Sequence, residues 1–204
     1  MILFFFIFSF LYSIDSQVLL DNLYNQNNWK KYSKTEDSKK IFDCEHSGLK
    51  YIKVVKKVVF SKKQIFEKIK SINNYNEIIS NENVTTKLVL QEKDTLYGYQ
   101  KISNSIPFVR DRQYIFKMYQ KDDYRLDWYI IDKNSDLLKS YIDDEVHTIS
   151  YGAGSWYFKD DTLTNRIYVD DGVNLPINLL HKIRINHVTQ IFDDVLNNLI
   201  IEEK

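Results

Sequence analysis

Apolar and polar positions repeat with two different periods along this chain, and the change of period divides it. Across 84–91, 96–103, 113–120, 125–132, 145–151, 155–159 and 165–170, apolar residues tend to recur at every second position. A period of two sends alternate side chains to opposite faces of a strand. Short polar links such as Glu92-Lys93-Asp94 and Lys121-Asp122-Asp123 separate several of these runs. That is the signature of an antiparallel meander. Two earlier strands, 41–45 and 49–60, flank the turn His46-Ser47-Gly48, where Gly48 is free to take positive φ.

The remaining segments carry a period near 3.6. Leu19, Leu20, Leu23 and Tyr24 place a first helix over 18–32. Ser61 is a good N-cap, and Gln64 completes a capping box for a helix that carries Ile65, Phe66 and Ile69 on one side and ends near Ile72. Asn73 caps a short second turn that ends near Ile79. A long helix over 175–201 closes the chain, with Pro176 at its start, where a missing N–H costs nothing. Its stripe is Val188, Ile191, Phe192, Val195 and Leu199, the spacing of a helix packed on a sheet. The order is helix, two strands, one or two helices, about seven strands, long helix. That is an α+β architecture, and a curved sheet wrapped on such a helix often leaves a cavity between them.

Residues 1–12 read MILFFFIFSFLY, without a charge. The run is shorter than the roughly 20 residues a spanning helix needs and fits the apolar core of a signal peptide. The expectation is a signal peptide over 1–16, an exported protein (periplasmic or secreted), and one domain over 17–204. Composition supports a single globular domain: 44% hydrophobic, 27% charged, with 15 Tyr and 12 Phe. Lys+Arg and Asp+Glu are equal at 28 each, which lacks the basic surplus that a nucleic-acid partner requires. The single cysteine, Cys44, excludes an internal disulfide and a thiolate metal cluster.

Two segments carry a family resemblance. The first is Ile106-Pro107-Phe108-Val109-Arg110-Asp111-Arg112-Gln113-Tyr114. It resembles the Pro-hydrophobic-x-Arg-Asp-Arg-Asp-aromatic segment of START domains, the lipid-transfer branch of the helix-grip superfamily. The second runs through Gly154-Ser155-Trp156-Tyr157-Phe158 and ends in Asp171-Gly172-Val173-Asn174-Leu175-Pro176. It is similar to the family's Gly-x-Trp strand and its Gly-x-Leu-Pro entry to the last helix. Gln113 stands where many relatives have Asp, and Asn174 replaces a bulkier residue. The resemblance implies a helix-grip, START-like fold: a curved antiparallel sheet wrapped around the long C-terminal helix, with an internal cavity. It further implies one lipid or sterol-like molecule held in that cavity, transient membrane contact, a monomer, and no cofactor or metal.

Alternation then selects a wall. Tyr114, Phe116 and Met118 share one face, and charged Lys117 marks the other as outer. Leu126, Trp128 and Ile130 oppose Arg125, Asp127 and Tyr129. Tyr97 and Tyr99 share a face with Lys101 on the preceding strand. Leu180, Ile183, His187 and Ile191 close the space from the helix. Periodicity alone favours a filled core for these residues; the resemblance favours a cavity with tyrosine hydroxyls as its polar handles. Arg110, Asp111, Arg112 and Trp156 are read as structural, Asp111 pairing with an arginine at the turn. Catalysis would need titratable groups facing the cavity within mutual reach. His46 falls in a turn and His181 on the exposed side of the helix. His187 and His147 are the only acid–base candidates, for a helix-grip enzyme of the cyclase or hydratase type. No catalytic set with recognisable spacing is present, so a non-enzyme is expected. A ligand-free interaction module is the third reading.

Overall fold

A computed structural model describes residues 15–34, 39–103, 110–132, 134–135, 139–170, 173 and 175–202. The apolar run within residues 1–14, the Ile106-Pro107-Phe108-Val109 segment, and Asp171, Gly172 and Asn174 lie outside the described residues.

Helix α1, Ser16–Asn25, is capped by Asp15, whose carboxylate accepts from the Gln17 N–H at 2.9 Å. It is shorter than its expected span of 18–32. Asn25, Gln26, Asn27 and Asn28 end it, because asparagine side chains compete for backbone hydrogen bonds. The chain then enters an edge strand, β1, Lys30–Lys34. Strands β2, Lys40–His46, and β3, Leu49–Lys57, form a hairpin. Its turn residues Ser47 and Gly48 both have positive φ, 52° and 76°, as the twist of a tight hairpin demands. The capping box at Ser61 and Gln64 opens α2, Lys62–Lys70. A 3-10 turn, Ile72–Asn74, leads to α3, Tyr75–Ile78.

The meander follows: β4, Val84–Glu92; β5, Thr95–Ile102; β6, Arg112–Asp122; β7, Arg125–Ile130; β8, His147–Thr148; β9, Gly152–Lys159; and β10, Thr162–Val169. The expected strand over 145–151 shrinks to the two residues of β8, which run parallel to β6 rather than antiparallel. Gln113 explains this. It is fully buried, and its amide donates to the Asp143 and Val146 carbonyls and to Thr148 Oγ1, while its Oε1 accepts from the Asp143 N–H. One side chain thus ties the 143–148 loop to β6 and leaves little of it for a ladder.

Among the described residues the sheet has ten strands in the order β1-β2-β3-β10-β9-β7-β6-β5-β4, with β8 on β6. The early hairpin therefore joins the end of the meander in mid-sheet. Helix α4, Ile177–Glu202, lies against the concave face. Its Phe192, Val195, Leu196 and Leu199 join Trp156 of β9 and Ile65, Phe66 and Ile69 of α2 in one core. Helix α1 covers part of the convex face, where Leu19, Leu20 and Leu23 pack on Cys44, Tyr51, Ala153 and Tyr168. Beneath α1, fully buried Asp127 pairs with Arg125, Nη2 to Oδ2 at 2.8 Å. Burial raises the Asp127 carboxyl above its ordinary value, against the pull of Arg125. The Tyr24 hydroxyl bonds Ser155 Oγ nearby, and burial pushes its phenol up to about 12. No helix among the described residues is long and apolar enough to cross a membrane.

Candidate functional site

Between the concave face and α4 lies a cavity of about 310 Å³, at the small end of the ~300–1,000 Å³ typical of ligand sites. Its first wall is built by register. Gln100 of β5 faces Tyr114 of β6, Gly98 faces Phe116, and Met118 faces Trp128 of β7. Paired residues of an antiparallel ladder share a face, so these side chains point inward together. The second wall comes from β3, β9 and β10: Ile52, Trp156, Asn165 and Ile167. Leu180, Ile183, His187, Val188, Ile191 and Val195 of α4 close it, and Tyr75, Ile78 and Ile79 contribute from the α3 region.

Two glycines set the positions of the large rings. A Cβ on Gly98 would fall 2.3 Å from Cζ of Phe116, and one on Gly154 would fall 2.5 Å from Nε1 of Trp128. Each ring occupies the space that a Cβ on the facing glycine would fill. Gly154→Ala should force Trp128 into the cavity or into its neighbours. A stability loss of about 1–3 kcal/mol is expected, the cost of overpacking, with a shifted tryptophan emission. Denaturant titration followed by fluorescence measures both.

The polar groups are few. Tyr114 donates to Gln100 Oε1, and Gln100 Nε2 donates to Thr86 Oγ1 at 2.8 Å, so this chain is satisfied internally. The Tyr75 hydroxyl donates to the Ile69 carbonyl, and burial raises the Tyr75 phenol well above its ordinary value. Lys50, Arg112 and Arg184 stand at the end where β3 and β6 begin, Arg184 with its guanidinium 5.6 Å from the Tyr168 ring centre. No Asp or Glu lines the cavity among the described residues, and no group of three or more His, Cys, Asp or Glu among them could hold a metal.

Of the wall residues selected from sequence, Tyr114, Phe116, Met118, Trp128, Leu180, Ile183, His187 and Ile191 line the cavity. Leu126 and Ile130 face the same side but are packed into the core behind it. Tyr97 and Tyr99 do not belong to the wall. They pair with Lys117 and Ile115 on the convex face, where Tyr99 donates to Gln113 at 3.1 Å. The inward positions of β5 are Leu96, Gly98, Gln100 and Ile102. Trp156, read as structural, lines the cavity and stacks on Phe192 with ring centres 5.7 Å apart. Arg112 also lines it. Asp111 pairs with Lys101 at 3.6 Å, and Arg110 is exposed. His181 is buried rather than exposed, because Asp43 of β2 reaches its Nε2 at 2.9 Å and Tyr32 meets its ring edge-on. His147 and His46 are exposed. Sequence reasoning missed Gln100, Ile102, Asn165 and Ile167. For β5 the available signals are charged Lys101 on the face of Tyr97 and Tyr99, and the small residue at position 98 on the other.

Solved structures with this architecture decide the fold. Human StAR-related lipid transfer protein 5 matches with a TM-score of 0.69 at 9% identity, over 92% of this chain and 94% of that one. A STAR-related lipid transfer protein from Xanthomonas axonopodis matches with a TM-score of 0.68 at 11% identity, over 85% and 99%. This chain has the START-like helix-grip fold. The Zhui aromatase/cyclase from a Streptomyces species shares that START-like layout more distantly, with a TM-score of 0.54 at 9% identity over 76% and 95%. No family model and no curated protein matches the chain in sequence.

Proposed function

We propose that this protein binds one small hydrophobic molecule in the cavity under α4 and carries or senses it. The observation that carries this reading is a cavity of about 310 Å³ whose walls are mostly aromatic and aliphatic. The architecture it shares with lipid transfer proteins adds support. A lining without carboxylates favours a neutral or anionic ligand over a cation. The reading as carrier rather than catalyst draws support from the same lining, which among the described residues holds one histidine, His187, and no carboxylate, whereas acid–base catalysis needs groups in mutual reach. The cyclase likeness, together with His187, supports the second reading, a catalyst acting on a cyclic or acyl ligand. Export is part of the proposal and is supported by the uncharged run at residues 1–12.

Native mass spectrometry of the protein purified from its own membranes tests the reading. The expected result is a bound lipid or lipid-like molecule at one per chain, identifiable after extraction. A protein that is empty and also takes up no fluorescent sterol, fatty acid or phospholipid sinks the carrier reading in favour of a filled interaction module. Turnover of the extracted molecule, abolished in His187→Ala, decides for the catalyst.

A further inference from the structure

Asn165 sits mid-strand on β10, between Val54 of β3 and Trp156 of β9. Its register places it on the concave face, and it lines the cavity. It is 4% exposed. Among the described residues no hydrogen bond reaches its side-chain amide. Neither amide atom is among the fully enclosed, unpartnered side-chain atoms of the described residues, so the amide opens into the cavity, where it offers two donors and an acceptor. Asparagine is also disfavoured in strands, and both ladder neighbours are apolar. Of the other amides lining the cavity, Asn83 is exposed and Asn81 half-buried, and buried Gln100 is held between Tyr114 and Thr86. Packing therefore explains Gln100 and does not explain Asn165.

We infer that Asn165 is the residue that recognises the ligand's polar group, and that the ligand is an apolar molecule with a neutral hydroxyl or carbonyl set against the β10 wall. The inference rests on the carrier reading. A neutral group fits because no charged side chain flanks Asn165 on the concave face of its own strand, where Leu163 and Ile167 are its neighbours, or across the ladders. A carboxylate or phosphate would be drawn instead to the end of the cavity that holds Lys50, Arg112 and Arg184. A hydroxyl can both donate to Oδ1 and accept from Nδ2, which satisfies the amide from both sides. The orientation follows: the polar end lies mid-sheet under α4, and the apolar body extends toward the β5–β7 rings.

The test uses a matched pair of probes, 2-naphthol and 2-methylnaphthalene, which differ by a hydroxyl in place of a methyl. Their affinities are measured on the full chain, on Asn165→Val and on Asn165→Thr. Valine and threonine are close in shape, and only threonine keeps a donor and acceptor, so a folding defect common to both is recognised. The expected result is that the wild type prefers the naphthol by roughly threefold to tenfold, the ratio given by about one net hydrogen bond. Asn165→Val loses that preference by binding the naphthol more weakly, with its affinity for the hydrocarbon unchanged or higher. Asn165→Thr keeps part of it. Equal binding of the two probes by the wild type, or a preference that survives in Asn165→Val, overturns the role of Asn165 and leaves the carrier reading standing. If neither probe enters the wild-type cavity the inference falls, and uptake of a fluorescent sterol, fatty acid or phospholipid then decides whether the carrier reading falls with it.

Discussion

Phe192→Ala should lower stability by about 3–5 kcal/mol, the upper range for truncating a large buried side chain. Phe192 is 0% exposed and stacks on Trp156, which itself stands in the cavity wall. It belongs to the same core cluster as Ile65, Phe66 and Ile69 of α2. The site is gripped from two sides, so it cannot collapse around the missing ring, and the cavity term adds to the transfer term. For a domain of this length each kcal/mol is worth about 2–4 °C in Tm, which gives a fall of about 6–20 °C. Ile201 on the same helix is 69% exposed, and Ile201→Ala should move stability by less than about 0.5 kcal/mol. Chemical denaturation of the pair separates the two. An equal and small loss in both would mean that α4 is not anchored through Phe192, and the cavity would lose its fixed roof.

Much of the fold was legible because it follows from period. The seven alternating runs correspond to β4 through β10, and the α4 stripe from Val188 to Leu199 faces the sheet. The capping box at Ser61 and Gln64 was readable because it is a purely local exchange of two hydrogen bonds. What escaped was set by partners distant in sequence. Strand β1 reads Lys30-Lys31-Tyr32-Ser33-Lys34 and has no apolar alternation, because it lies at the sheet edge and pairs on one side only. Strand β8 is short because Gln113, thirty residues earlier in the chain, holds its loop. His181 lies outside the Val188–Leu199 stripe of α4, and only the return of β2 brings Asp43 to cover it.

The site was harder to read than the fold, for a related reason. Alternation gives two faces and does not say which is inner; that choice was made by putting the larger apolar residues inside. On β6 and β7 the rule places the residues correctly, since Lys117 and Arg125 mark the outside. On β5 the convex face is itself covered, with Tyr99 and Ile115 forming a small cluster there. Tyrosines can then lie outside while Gly98 and Gln100 lie inside. Asn165 is hidden by the same rule, because a polar residue in an apolar stripe reads as an outward one. Functional polar groups are the positions where the burial rule fails, so the residues of most interest to ligand chemistry are those that periodicity misassigns.

Val188→Trp separates a true cavity from a packed core. Val188 is buried on the inward side of α4 and lines the cavity. In a core at full density, the added indole would have no room and would cost about 1–3 kcal/mol through displaced side chains. In the space present here it can be taken up between Ile191 and the β-sheet wall. The expected outcome is a denaturation midpoint within about 1 kcal/mol of the wild type, together with a fall of at least about tenfold, ~1.4 kcal/mol, in uptake of a fluorescent fatty acid or sterol. The two readouts move in opposite directions for the two readings. A variant that loses stability and keeps uptake would place the ligand elsewhere. A variant that keeps stability and loses uptake would place it under α4, with the added indole standing where the ligand's apolar body belongs.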